Sequence, residues 1–213
     1  QDTSGETLCE QPVSVTREQL EAVLRRFAGP IEQIPPMYSA VKIGGRKLYE
    51  LARKGQEIER APRAVTIHKL ELLDGGGADW TLRVRCTKGT YVRTLCHDIG
   101  AALGCGGCMS SLRRTMAGRF PLDGALTMTQ ILDFAAQNDP QALLMPVDAL
   151  FSQHPALIVT LQQAARVRNG AEVRDGQFPD GMCRVYCETG EFLMLGEVRA
   201  HTLRTVKNFF EVN

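Results

Sequence analysis

Apolar residues recur at helical spacing early in the chain. Leu20, Val23, Leu24 and Phe27 follow Thr16-Arg17-Glu18-Gln19, which has the form of a capping box, and precede a Gly29-Pro30 stop. This predicts a helix. The two prolines in Gln33-Ile34-Pro35-Pro36-Met37-Tyr38 forbid a continuous helix, so Tyr38 is expected on an extended segment or loop. Lys47 to Lys54 reads as a short helix ended by Gly55. The period then changes to two. Val65 to Leu73 and Trp80 to Cys86 read as strands joined by a turn over Asp74 to Gly77. In the second strand Trp80, Leu82, Val84 and Cys86 alternate with Thr81, Arg83 and Arg85, so one face packs and the other is cationic.

After Lys88-Gly89, Thr90 is expected to cap a helix with Val92, Leu95, Cys96, Ile99 and Leu103 on its apolar stripe and Gly104 at its stop. Tyr91 and Arg93 fall in its first turn, off that stripe. Leu112-Arg113-Arg114 is expected in a strand and Thr127 to Ala136 in a helix. Asp148 to Pro155 reads as a linker. Beyond it, Val159 to Val212 reads as short strands punctuated by glycines at 170, 176, 181, 190 and 196, which suits a compact β module. The fold class is α+β, in two domains covering 1–148 and 149–213.

Length adds only that 213 residues suffice for a large domain with a small module. No apolar run approaches the roughly 20 residues of a membrane span, and no signal peptide is visible, so no membrane partner is expected. Seven cysteines, odd in number and irregularly spaced, argue against a secreted disulfide framework and for a reducing cytoplasm. Cys105-Gly106-Gly107-Cys108 lacks a second pair at ligand spacing and reads as a small-residue turn after a helix more readily than as a zinc or redox site. No metal site is expected. The chain begins at Gln1, so an upstream part is expected to have been removed or not included.

Charge changes the picture more. From Thr81 to Arg119 seven basic residues face one acidic residue, Asp98, a net of +6; from Lys42 to Lys69 eight face three, a net of +5. The whole chain is only +1, so all other residues sum to −10. A basic middle between acidic ends favours a polyanion on one surface. Within it, Lys88-Gly89-Thr90-Tyr91-Val92-Arg93-Thr94-Leu95 sets an aromatic ring and a fixed cation at a helix entrance. Such residues can stack a base and neutralise phosphate. An arginine in a helix's first turn is disfavoured by the macrodipole, which points to an acidic partner or a phosphate beside Arg93. By residue type alone, Tyr38 reads more readily as a loop-packing side chain than as a base platform, and Arg113-Arg114 as ordinary surface charge.

Three segments carry a resemblance: Met37-Tyr38-Ser39-Ala40-Val41-Lys42, Lys88 to Leu95 with Asp98-Ile99-Gly100, and Leu112-Arg113-Arg114-Thr115. In order and spacing they resemble the bacterial TruB-family tRNA pseudouridine synthases of the T-loop uridine-55 type. The resemblance implies a partial mixed-sheet pseudouridine synthase catalytic domain followed by a small PUA-like, RNA-binding β-barrel. It implies isomerisation of a T-loop uridine of tRNA after the base is flipped out, with no cofactor, in a cytoplasmic protein that is a monomer when intact. Flipping costs a few kcal/mol, which stacking and hydrogen bonds in the pocket must offset.

The resemblance further implies a role for each motif residue. Tyr38 would stack on the target base, Arg93 would pair with the catalytic aspartate, and Tyr91 and Leu112 would line the pocket. Lys88, Arg113 and Arg114 would meet the RNA backbone or serve as structural cations. The family's nucleophilic aspartate lies in a Gly-x-Leu-Asp-Pro segment that these 213 residues do not contain, and Asp98 matches a helix position instead. The catalytic set in this chain is therefore limited to the supporting residues Tyr38 and Arg93. The chain alone is expected to bind RNA without forming pseudouridine; the alternative is an RNA-binding protein that has lost the activity.

Overall fold

A computed structural model describes residues 1–7 and 9–210. They form two compact units that divide between Leu122 and Asp123, whereas the sequence-based boundary lies at 148/149.

The first unit opens with helix α1 (Arg17–Arg26), where the Thr16 hydroxyl accepts from the Gln19 amide and the Gln19 side chain accepts from the Thr16 amide. The capping box thus forms as expected. Gly29-Pro30 ends the helix but also begins strand β1 (Gly29–Gln33), which the sequence reading did not foresee. The strand lies at the sheet edge against β4, a position that tolerates the missing Pro30 amide. A small hairpin of β2 (Lys42–Ile43) and β3 (Arg46–Lys47) leads into the short helix α2 (Leu48–Ala52).

Strands β4 (Arg63–Gly76) and β5 (Asp79–Cys86) complete an antiparallel sheet of order β1-β4-β5. Burial in β5 alternates residue by residue as the pattern predicts, with Trp80, Leu82, Val84 and Cys86 turned inward. The outer face is less purely cationic than expected, because Glu71 sits 2.7 Å from Lys69 and 3.8 Å from Arg83. Helix α3 (Val92–Leu103) packs with α1, and Leu20, Leu24, Ile67, Leu95 and Ile99 form the buried centre. Gly104 ends α3 in the left-handed conformation, at φ 78°, as foreseen. The cap at its start is a correction: Tyr91, not Thr90, is the N-cap residue, while the Thr90 hydroxyl donates to the Thr87 carbonyl.

Leu112, Arg113 and Arg114 lie in an exposed loop rather than a strand, and the next hairpin is β6 (Met116–Ala117) with β7 (Phe120–Pro121). The arginine side chains find no paired strand there to hold them in register.

The second unit starts with α4 (Met128–Gln137), capped by a Thr127–Gln130 box and burying none of its residues. The stretch expected as a linker instead contains a 3-10 turn, Val147–Phe151, that packs onto the following sheet. Phe151 lies 6.3 Å from Phe192 and 5.4 Å from Phe209 between ring centres, and the Tyr186 hydroxyl donates to Asp148 at 2.6 Å. The sheet comprises β8 (Ala156–Val159), β9 (Val173–Arg174), β10 (Gly181–Cys187), β11 (Phe192–Arg199) and β12 (Thr202–Asn208) in the order β8-β10-β11-β12-β9. Strands β8 and β10 pair in parallel, which requires a crossover between them. Helix α5 (Leu161–Arg168) starts that crossover, with a capping box from Thr160 and Gln163. It was not foreseen in a stretch read as strands alone.

Candidate nucleic-acid interface

The site is organised at the entrance of α3. Gly89 turns the chain at φ 85°, a conformation suited to glycine, and delivers Tyr91 to the N-cap position. Tyr91 has no side-chain cap of its own. Gln33, buried at the end of β1, accepts from the Tyr91 amide at 3.0 Å and donates to the Tyr91 carbonyl at 3.3 Å. One amide side chain thereby anchors the helix start to the sheet. An unsatisfied buried amide costs about 1–3 kcal/mol, so Gln33 supports the site although it cannot reach a substrate.

Arg93 lies in the first turn. Its Nη1 donates to Asp2 Oδ2 at 2.9 Å and its Nη2 to the Tyr38 carbonyl at 3.1 Å. The acidic partner expected from the helix dipole is present, as Asp2. The arginine's hydrogen bond, the Ser4 amide on Oδ1 at 3.2 Å and the positive charge hold the Asp2 carboxyl below the usual carboxylate range. Both side chains are partly exposed, at 32% and 22%. The pair can therefore still meet a ligand.

Asp2 is held in turn by the loop after α3. It bridges in parallel to Met109, with the Met109 amide donating to the Gln1 carbonyl and the Thr3 amide to the Met109 carbonyl. Thus two remote segments meet at Arg93, the chain start and the Tyr38 loop, and the Met109 loop braces the first of them. Neither Asp2, Gln33 nor Met109 stood out in the sequence. Asp2 carries one local signal, an Asp-x-Ser turn; the other two act only through pairing.

The other anticipated residues are less tightly gathered. Tyr38 offers Arg93 its carbonyl, while its side chain belongs to a residue 58% exposed. Lys88, Leu112, Arg113 and Arg114 are exposed, and among the described residues the three cations make no ion pair. They are free to meet phosphate. A cavity of about 360 Å³ lies beside Thr94, His97 and Asp98 and is completed by Gln1, Glu32, Ile34 and Arg60. None of the residues anticipated for the site lines it. Among the described residues, no group of three or more His, Cys, Asp or Glu side chains could hold a metal ion, and no helix is long and apolar enough to cross a membrane.

Three family models match in succession. Residues 1–92 match the TruB family pseudouridylate synthase N-terminal domain, 93–152 the tRNA pseudouridylate synthase B C-terminal domain, and 155–204 the pseudouridine synthase II TruB C-terminal model. The chain is 48% identical over 203 residues to tRNA pseudouridine synthase B of Azoarcus sp., covering 95% of this chain and 67% of that protein. It belongs to the TruB family of pseudouridine synthases.

A second family member, tRNA pseudouridine synthase B of Ralstonia pickettii, is 51% identical over 173 residues, or 79% of this chain and 54% of that protein. The chain thus spans between about half and two thirds of these two TruB proteins. Among solved structures, one titled as a Cbf5-Nop10-Gar1 complex matches with a TM-score of 0.68 at 24% identity, over 94% of this chain and 64% of the other. That likeness supports the fold, a mixed α/β TruB-like architecture with a C-terminal domain.

Proposed function

We propose that this chain is the RNA-gripping portion of a tRNA pseudouridine synthase that isomerises a T-loop uridine. One observation carries the reading: Arg93 is aimed by Asp2 and the Tyr38 carbonyl at a helix entrance inside a segment with unpaired exposed cations. A guanidinium held on two sides is pre-organised to hydrogen-bond a further carboxylate or phosphate. In this reading Arg93 positions the nucleophilic aspartate of a Gly-x-Leu-Asp-Pro segment, and Asp2 positions Arg93. Tyr38 and Tyr91 supply rings and Leu112 an apolar wall for the flipped base, while Lys88, Arg113 and Arg114 neutralise backbone phosphates. The module over 149–213 adds a second RNA contact as a PUA-like domain. The intact protein acts as a cytoplasmic monomer on the T arm, and the chemistry of base transfer needs no cofactor.

Because the 213 residues contain no Gly-x-Leu-Asp-Pro segment, the chain alone is expected to bind tRNA and leave its uridine unchanged. Incubation with unmodified tRNA, followed by a chemical assay for pseudouridine, tests this. Turnover would show that a carboxylate within the chain serves as nucleophile. Binding should weaken steeply with salt, and Arg113→Ala with Arg114→Ala should lower the slope of log K against log salt by about 1 for each phosphate that is no longer neutralised. An unchanged slope would remove these two residues from the interface.

A further inference from the structure

The cysteines around the end of α3 are not used by the proposed reaction. After Gly104 the chain doubles back, and the Gly106 amide donates to the Gly100 carbonyl at 3.1 Å. The backbones touch. A Cβ on Gly100 would meet Gly106 and Gly107 backbone atoms at 2.2–2.3 Å, and one on Gly107 would lie 2.7 Å from the Cys96 carbonyl oxygen. Positions 96 and 100 are one helical turn apart on the same ridge, so residue 107 crosses that ridge between them. Cys108 follows at once. Its backbone therefore lies one residue beyond the crossing at Cys96, and Met109 then makes the bridge to Asp2.

We propose that Cys96 and Cys108 are a dithiol that closes to a reversible intramolecular disulfide when it meets a low-molecular-weight disulfide. Cys108 is exposed and Cys96 half-buried, which assigns their order of reaction. The Cys108 thiolate attacks the small disulfide and expels one small thiolate. Cys96 then gives its proton to solvent, and its thiolate attacks the Cys108 sulfur and expels the second. Two protein thiols and one small disulfide become one protein disulfide and two small thiols. Burial is the main cause that pushes the Cys96 thiol up, so ring closure accelerates as pH rises above neutral. Cys105 is a poorer partner, because its Sγ donates to the Gly106 carbonyl. In the second unit Cys183 is buried and pushed up to about 11, which keeps it inert. The closed bond joins the Arg93 helix to the segment that pairs with Asp2, and so staples two walls of the site.

The test is to treat the full chain with oxidised glutathione and map its disulfides by mass spectrometry under non-reducing conditions. The expected product is a monomer with a Cys96–Cys108 cross-linked peptide that carries no glutathione and is about 2 Da lighter than the two reduced peptides together, reversible by dithiothreitol. Cys105→Ser should leave the product intact. Cys96→Ser should stop at the glutathione adduct on Cys108, and Cys108→Ser should abolish the cross-link while leaving the Trp80 fluorescence of the folded unit unchanged. A cross-link between Cys105 and Cys108, one between chains, or no cross-link in the folded wild type would overturn the proposal.

Discussion

Strands β5 and β11 are both eight residues long and present opposite solutions to burial. Strand β5 alternates between half-buried and exposed positions, so its sheet has helices on one face and charged side chains on the other. In β11 Leu193, Met194, Leu195 and Gly196 are buried in succession, with both faces covered. The difference extends to the cores. Among the described residues, twelve form the buried cluster of the second unit and five that of the first, whose other apolar contacts are half-buried. A sheet covered on both faces is stable by its own packing. A one-sided sheet keeps a face and a helix entrance accessible, which is where the Arg93 cluster lies.

The largest test of this contrast is Leu193→Ala, which empties a fully buried position and should cost the second unit about 2–5 kcal/mol. The sole tryptophan, Trp80, reports on the first unit alone. Urea unfolding followed by far-ultraviolet circular dichroism should therefore shift, while the tryptophan transition stays in place; a common shift would mean that the units unfold together. Leu95→Ala should do the reverse at about 2–3 kcal/mol, because its half-buried neighbours can relax into the space.

Gln33→Leu should cost about 1–3 kcal/mol in the tryptophan transition, because it strips the Tyr91 amide and carbonyl of their partner. It should also weaken tRNA binding through a misplaced helix entrance. Retained affinity would separate the anchor from the interface. Thr160→Ala removes the hydroxyl that caps α5 and should lower the second transition by about 1 kcal/mol.

The smallest effect concerns pH. The Asp2 carboxyl is depressed in the folded state, so its contribution is present above the ordinary value of 3.8 and fades as pH falls through the lower folded value. Asp2→Asn should flatten this acid-side loss, seen in stability as pH falls below 3.8; an unchanged profile would mean that the Arg93 contact does not persist in solution.

The site was legible in one respect and hidden in another. A cation in the first turn of a helix demands a counter-charge, and the demand was visible from Arg93 and its helical stripe. Its supplier was not, because Asp2 lies 91 positions away and meets Arg93 where the Met109 segment pairs beside it. The same holds for β1: Gly29-Pro30 signals a helix end, but antiparallel pairing with Arg63–Ile67 makes the following residues a strand. Leu112-Arg113-Arg114 failed in the opposite sense, since apolar and basic residues that suit a strand found no partner strand.

By itself the sequence determined whatever depends on neighbours a few residues apart. These features include the Thr16 and Thr127 capping boxes, the two-residue period of β5, the Gly104 stop and the basic middle. Only the tertiary structure decided that Gln33 anchors α3, that Asp2 aims Arg93, that the expected linker packs on a sheet and that Gly107, just before Cys108, crosses α3 at Cys96. Each joins groups whose separation along the chain hides their proximity, and hydrogen bonds, burial and charge act through space rather than along the sequence.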